Sequence, residues 1–185
     1  VDGTAYKPDT VQKIHQAYGR DFQLPNFSAH NETCANIGNM LWNWRMFLLT
    51  GESKYMDVLE LSLYNSVMSG VSLDGSSYFY TNPLAASTNY PYHLRWEGGR
   101  VPYISKSNCC PPNLVRTIAE LNNYMYTFNG DALFVNLYGA NQLKSKFADG
   151  SVVAIEQTTN YPWNGGVQLV VKEMAPGKKI YLRVP

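Results

Sequence analysis

Glu32, Cys34, Cys109 and Cys110 are the residues of this chain whose types most directly suggest chemistry. Three thiolates and one carboxylate supply four ligands, the number that a tetrahedral zinc ion takes. The arrangement is Glu-x-Cys, with Cys-Cys beginning 75 positions after Cys34, and it matches no familiar zinc finger. Cys109 and Cys110 stand just before Pro111-Pro112, where a helix is expected to begin. The unpaired N–H groups and dipole of a helix start favour an anion and so lower a thiol's pKa. Read without further context, the same residues also suit three buried free thiols, or a vicinal Cys109–Cys110 disulfide. Three cysteines cannot make a complete disulfide framework.

The elements that must position these residues can be read from periodicity and breakers. Residues 1–30 are loop-rich, with Pro8, Gly19, Pro25 and Asn26 interrupting any long pattern. A helix is expected from Asn31 or Thr33 to Gly51, with Ile37, Leu41, Trp44 and Leu48 on one face. Ser53 can cap a second helix that ends at Gly70, and so short a connection makes an antiparallel helix pair. Asp74-Gly75 between apolar runs predicts a β-hairpin. Residues 85–108 read as a loop, and Pro111-Pro112 open a third helix running through NLVRTIAELNNYMYTF to Asn129-Gly130.

The period then changes. ALFVNLY, NQLKSKF, SVVAIEQTT, VQLVVKEM and KKIYLRV alternate as strands do, separated by Gly139, Asp149-Gly150, Asn164-Gly165-Gly166 and Pro176-Gly177. Helices followed by a run of strands predict two domains in an α+β chain, with the boundary near residue 130. Strands are expected only beyond that boundary, apart from the hairpin. Three helices are few for a helical domain, and the chain opens on Val1 and stops at Pro185. It therefore reads as an internal piece of a longer protein, in which targeting is illegible.

Composition narrows the function. The 185 residues are 45% hydrophobic and 16% charged, a globular composition. The net charge of +1 comes without a basic block, which argues against nucleic acid and anionic membranes as partners. Aromatic residues reach 14%, with 14 Tyr and 4 Trp, rings that serve equally in a core or as walls of a sugar cleft. Trp42 and Trp44 read as core, whereas Trp96 and Trp163 lie in loops where a sugar could stack. His15, His30 and His93 read as surface hydrogen-bonding residues, with His30 near enough to Glu32 to support a metal ligand.

Four stretches carry a resemblance: NETCANIGNMLWNWRM at 31–46, LYNSVMSGVSLDGSSYFYTNPL at 63–84, CCPPN at 109–113 and NYPWNG at 160–165. From about residue 10 to its end the chain resembles the β-L-arabinofuranosidase family, glycoside hydrolases of families 127 and 146. The resemblance implies a helical (α/α)6 barrel followed by β-sandwich domains. Residues 1–130 would be the last part of the barrel and 131–185 the start of a sandwich. It implies zinc on Glu32, Cys34, Cys109 and Cys110, with Cys109 the nucleophile of a retaining reaction on a carbohydrate substrate. It places substrate contacts on Glu60 and Tyr80.

One position departs from the family. Aligned on Leu24-Pro25-Asn26, the general-acid glutamate falls on Gln16, and an amide neither donates nor takes a proton at neutral pH. Loss of a general acid costs roughly 10²–10⁴ in rate. Either the alignment slips locally, or another carboxylate such as Asp21 or Glu97 serves, or this branch cleaves a different linkage or binds without cleaving.

Overall fold

A computed structural model describes residues 5–7, 10–12, 21–22, 31–82, 84, 100–102 and 109–185. The chain is α+β and divides into two compact units, residues 1–118 and 119–185.

The first unit opens with β1 (Ala5–Lys7) and β2 (Thr10–Gln12), an antiparallel pair within the stretch expected to be loop. Helix α1 (Thr33–Thr50) runs as the sequence predicts. Gly51 stops it by adopting φ 71°, which costs glycine no Cβ clash, and returns its N–H to the Phe47 carbonyl at 2.8 Å. Helix α2 (Ser53–Ser62) follows after two residues and packs against α1. Glu52, not Ser53, occupies the N-cap, and no side chain caps the helix. Beyond Ser62 the helical path widens to a π turn over Leu63–Val67 and tightens again at Met68–Gly70, so it ends at Gly70 as expected.

The buried face of α1 differs from the expected one. Thr33, Ile37, Met40 and Asn43 are buried, Leu41 and Trp44 are half-buried, and Leu48 is exposed. Trp42, expected in the core, is 71% exposed. The cause is rotational: the buried stripe runs through Thr33, Ile37, Met40 and Asn43, and Trp42 lies well round the helix from Met40 and Asn43.

The Asp74-Gly75 turn is present, with Gly75 N–H on the Ser72 carbonyl and Asp74 accepting from Ser72 and Ser76. Its hairpin is short. Val71 makes a single bridge to Tyr78, and β3 (Ser77–Phe79) pairs instead with β4 (Arg100–Pro102), a strand in the stretch expected to be loop. Helix α3 (Cys110–Ala119) starts at the proline pair, whose missing N–H groups lie where a helix start has no internal acceptor for them. Ile37, Val67, Tyr78, Tyr80, Cys110 and Leu114 form one buried cluster, with Cys34, Leu41 and Val71 packed against it.

The third helix ends sooner than its pattern suggests. After Ala119 come a short helix α4 (Asn122–Met125) and β5 (Tyr126–Asn129). The break falls at Glu120-Leu121, and Tyr-Thr-Phe favours a strand once a partner is available. That partner is β6 (Ala132–Val135), so Asn129-Gly130 leads into a hairpin turn instead of closing a helix. Strands therefore begin before residue 130.

The remaining strands fall where alternation puts them: β7 (Asn141–Lys146), β8 (Val152–Thr159), β9 (Val167–Met174) and β10 (Lys179–Leu182). They form two three-stranded sheets, β10-β6-β5 and β7-β8-β9, and only the β10–β6 pairing is parallel. Leu133, Phe147, Val153 and Ile155 share a core with Tyr126, Leu143, Leu169, Met174 and Ile180, so both sheets bury one face on the other.

Candidate metal centre

Two helix starts build the site. Glu32 is the N-cap of α1: its backbone is extended and its carbonyl accepts the Asn36 N–H at 3.0 Å. Cys34 lies one residue inside that helix. Cys109 is the equivalent residue of α3, its carbonyl accepting the Asn113 N–H at 3.1 Å, and Cys110 is the first helical residue. Each helix thus contributes one residue at its cap and one from its first turn. The positive ends of two dipoles meet there, a setting suited to four anionic ligands.

The strand region clamps the first of these helix starts. Thr33 donates its N–H to the Tyr80 carbonyl at 2.9 Å and its hydroxyl to the Phe79 carbonyl at 2.6 Å. Asn82 N–H reaches the Asn31 carbonyl, and Asn31 returns its amide to the Asn82 carbonyl at 2.7 Å. Glu32 bridges Thr81 in this short antiparallel stretch. Cys110 and Leu114, fully buried, fix the second helix start against Ile37 and Tyr78. A change such as Leu114→Ala would cost about 2–5 kcal/mol and loosen Cys110 with it.

The side chains converge. One ligand atom from each of Glu32, Cys34, Cys109 and Cys110 lies within 4.8 Å of every other. The sulfurs of Cys34 and Cys110 are 3.3 Å apart and those of Cys109 and Cys110 3.8 Å. Glu32 Oε1 is 3.8 Å from Cys109 Sγ and 3.7 Å from Cys110 Sγ. Thiolates bound tetrahedrally at about 2.3 Å would have sulfur–sulfur edges of about 3.8 Å. The group could therefore hold a metal ion. All three cysteines are free thiols, so the vicinal disulfide is not formed.

The four residues differ in access. Cys109 is exposed, Cys34 half-buried, and Glu32 and Cys110 buried. Hydrogen bonding from Cys110 lowers the Cys34 thiol to about 7, against the opposing effect of burial, and the Asn113 amide adds to the lowering. The Cys110 thiol is pushed far up by that same bond, by burial and by the charge on Cys34. Tyr80 is raised as well: burial comes first, then the charges of Glu32, Cys109 and Cys110, and a hydrogen bond to Cys109 that the neutral phenol donates.

Of the other residues singled out in the sequence, Glu60 is only 7% exposed on α2, unlike a solvated helix charge. Asp21 and Trp163 are exposed. Gln16, Glu97, His15, His30, His93 and Trp96 lie outside the described residues. Asn113 escaped the sequence reading. Its amide nitrogen meets Cys34 Sγ at 3.2 Å, and the available signal was its place one turn into the helix that the cysteine pair opens.

A helical unit whose two helix starts gather three thiols and a carboxylate, followed by a β unit, defines a class of protein with a thiol-rich group that could hold a metal ion. Comparison with known proteins gives the family. The model of the β-L-arabinofuranosidase GH127 catalytic domain matches residues 3–123, and that of the GH127 middle domain matches residues 132–185. This chain belongs to the GH127 β-L-arabinofuranosidase family. It is 32% identical over 163 residues to a non-reducing end β-L-arabinofuranosidase of Bifidobacterium longum subsp. longum, covering 85% of this chain and 24% of that protein. A solved structure titled glycoside hydrolase superposes with TM-score 0.86 at 51% identity, over 100% of this chain and 30% of that one. A GH127 β-L-arabinofuranosidase from Geobacillus stearothermophilus gives 0.79 at 37% identity, over 100% of this chain and 29% of that one. The chain thus spans between 24% and 30% of the length of these relatives.

Proposed function

We propose that this protein is a retaining glycoside hydrolase that releases L-arabinofuranose, or a related sugar of pectin or glycoproteins. In this reading Glu32, Cys34, Cys109 and Cys110 hold Zn2+, and Cys109 is the nucleophile. Residues 1–130 form the last part of an (α/α)6 barrel and residues 131–185 the start of a β-sandwich. The observation that carries the reading is the convergence of four ligand atoms within 4.8 Å, with Cys109 the exposed thiol beside a buried Cys110.

Bound zinc would supply the positive charge that keeps the thiols deprotonated at neutral pH. The sulfur of Cys109 attacks C1 of the sugar, and the bond from C1 to the leaving oxygen breaks. The departing oxygen takes a proton from a general acid. Water, giving a proton to that same group now acting as base, then attacks C1 of the thioglycoside, the carbon–sulfur bond breaks, and Cys109 leaves as the thiolate. Two inversions at C1 retain its configuration, with sulfur in the place of the nucleophilic carboxylate of other retaining enzymes. The Tyr80 phenol, which donates to Cys109, orients the sulfur and steadies its charge when it departs. Glu60 accepts hydrogen bonds from sugar hydroxyls.

Purified full-length protein should contain one zinc per chain and hydrolyse an aryl β-L-arabinofuranoside, and Cys109→Ser should abolish turnover. Protein that carries no metal, or a Cys109→Ser variant of full activity, would overturn the reading. Gln16 favours a second reading, a zinc-containing relative that binds carbohydrate without cleaving it. In that case the parent binds arabinofuranosides without turnover, and Gln16→Glu gains activity.

A further inference from the structure

The polar chain behind Cys34 leads to a residue with no role in the reaction just described. Asn113 lies on α3, three residues after Cys110, and its side-chain amide bridges two groups. Its nitrogen meets Cys34 Sγ at 3.2 Å, and its oxygen meets an Arg116 guanidinium nitrogen at 2.7 Å. A guanidinium only donates, so the amide atom that Arg116 holds must be the carbonyl oxygen. The nitrogen is thereby the atom turned to sulfur. Arg116 is three residues further along the same helix, where side chains are neighbours, so the pair needs no other element to assemble. The Asn113 backbone is itself fixed, its N–H on the Cys109 carbonyl and its carbonyl accepting from the Thr117 hydroxyl at 2.8 Å.

This places a donor from α3 on a ligand from α1. Cys34 is otherwise tied to α3 through the contact of its sulfur with Cys110. Ligands of a metal are oriented and tuned by the hydrogen bonds that their neighbours supply, and a donor aimed at a thiolate holds the sulfur in place while drawing charge from it. We propose that Asn113, held by Arg116, is the positioning residue that fixes Cys34 Sγ for the metal and tunes its bond to the ion. The proposal rests on the reading of Glu32, Cys34, Cys109 and Cys110 as metal ligands. It assigns Arg116, an exposed residue, a function through Asn113 and not as a surface charge.

The test uses full-length protein. Zinc affinity is measured by chelator competition, and the thiolate-to-metal charge-transfer band is recorded after Co2+ replaces zinc. Asn113→Ala should weaken zinc binding roughly 10–100-fold, the usual cost of losing such a neighbour. Its charge-transfer band should move to lower energy, because a sulfur that has lost a hydrogen bond gives up charge more easily. Arg116→Met should change both in the same direction, and Arg116→Lys, which keeps a donor for the Asn113 oxygen, should restore them. Melting of the metal-free variants should match the metal-free parent, which separates an effect on the site from a fault in folding. Asn113→Ala that binds zinc as tightly as the parent, with its band unmoved, would overturn the proposal and leave the metal site standing. A parent that binds neither ion would overturn both.

Discussion

The backbone N–H of Thr33 bonds to the carbonyl of Tyr80 at 2.9 Å. That bond ties the start of the helix carrying Glu32 and Cys34 to the residue whose phenol reaches Cys109. The Thr33 hydroxyl doubles the link one residue earlier, on Phe79. Thr33 is buried, so neither bond competes with water.

Thr33→Val keeps the shape and removes the hydroxyl. The Phe79 carbonyl loses a buried donor, and stability should fall by about 1–3 kcal/mol. Urea unfolding of full-length parent and variant measures this. Zinc should also be held more weakly, since the helix start that carries Glu32 and Cys34 loses one of its two Thr33 bonds to the strand region. Unchanged stability together with unchanged affinity would contradict the role given to this clamp.

Stripping the metal should reveal unequal thiols. Cys34, lowered to about 7 by hydrogen bonding from Cys110, is ionised above that pH and protonated below it. Its alkylation by iodoacetamide in chelated protein should therefore rise through neutrality and level off above it. Cys110, buried and pushed up, should resist. Peptide mapping across pH reads both, and equal labelling of Cys34 and Cys110 would contradict the pairing.

In the β unit, Lys178 joins Asp131 and Asp149 while its ammonium lies 4.7 Å over the Phe147 ring. Hydrogen bonding from Lys178, and then from Ser151, holds the Asp149 carboxyl below the usual carboxylate range. A depressed carboxyl stabilises the fold above its unfolded pKa and loses that effect as pH falls through the folded value. Lys178→Met should accordingly melt lower than the parent at neutral pH, and the gap should narrow below about pH 4. It should narrow with salt as well, because the carboxylates are exposed. A gap that is constant with pH and salt would show that only packing on Phe147 matters.

Much of this was legible because the signals are local. Gly51 can end α1 unaided, the proline pair can open α3, and alternation with glycine-marked turns places β6 to β10. Ligand chemistry made Glu32, Cys34, Cys109 and Cys110 candidates but left free thiols or a vicinal disulfide open, and it was the family resemblance that singled out the set. What escaped depends on distant partners. Tyr126–Asn129 continues a helical pattern until β6 offers it a ladder, and β3 takes β4 as its neighbour across a long connection. Trp42 looks like core until the buried stripe of α1 is seen to run through Met40 and Asn43. Asn113 is one polar residue among many until Cys34 and Arg116 are found on either side of its amide.

The central claim is that the Cys109 sulfur forms a bond to the sugar. Full-length protein treated with a mechanism-based arabinofuranosyl inhibitor and digested for peptide mass spectrometry tests it most directly. The account predicts one added sugar-derived mass, on Cys109, absent from the Cys109→Ser variant. Cys110→Ser should mainly lose metal, its sulfur being buried away from solvent. A label found on Cys110, on Glu32 or on any other carboxylate, with Cys109 unmodified, would contradict it.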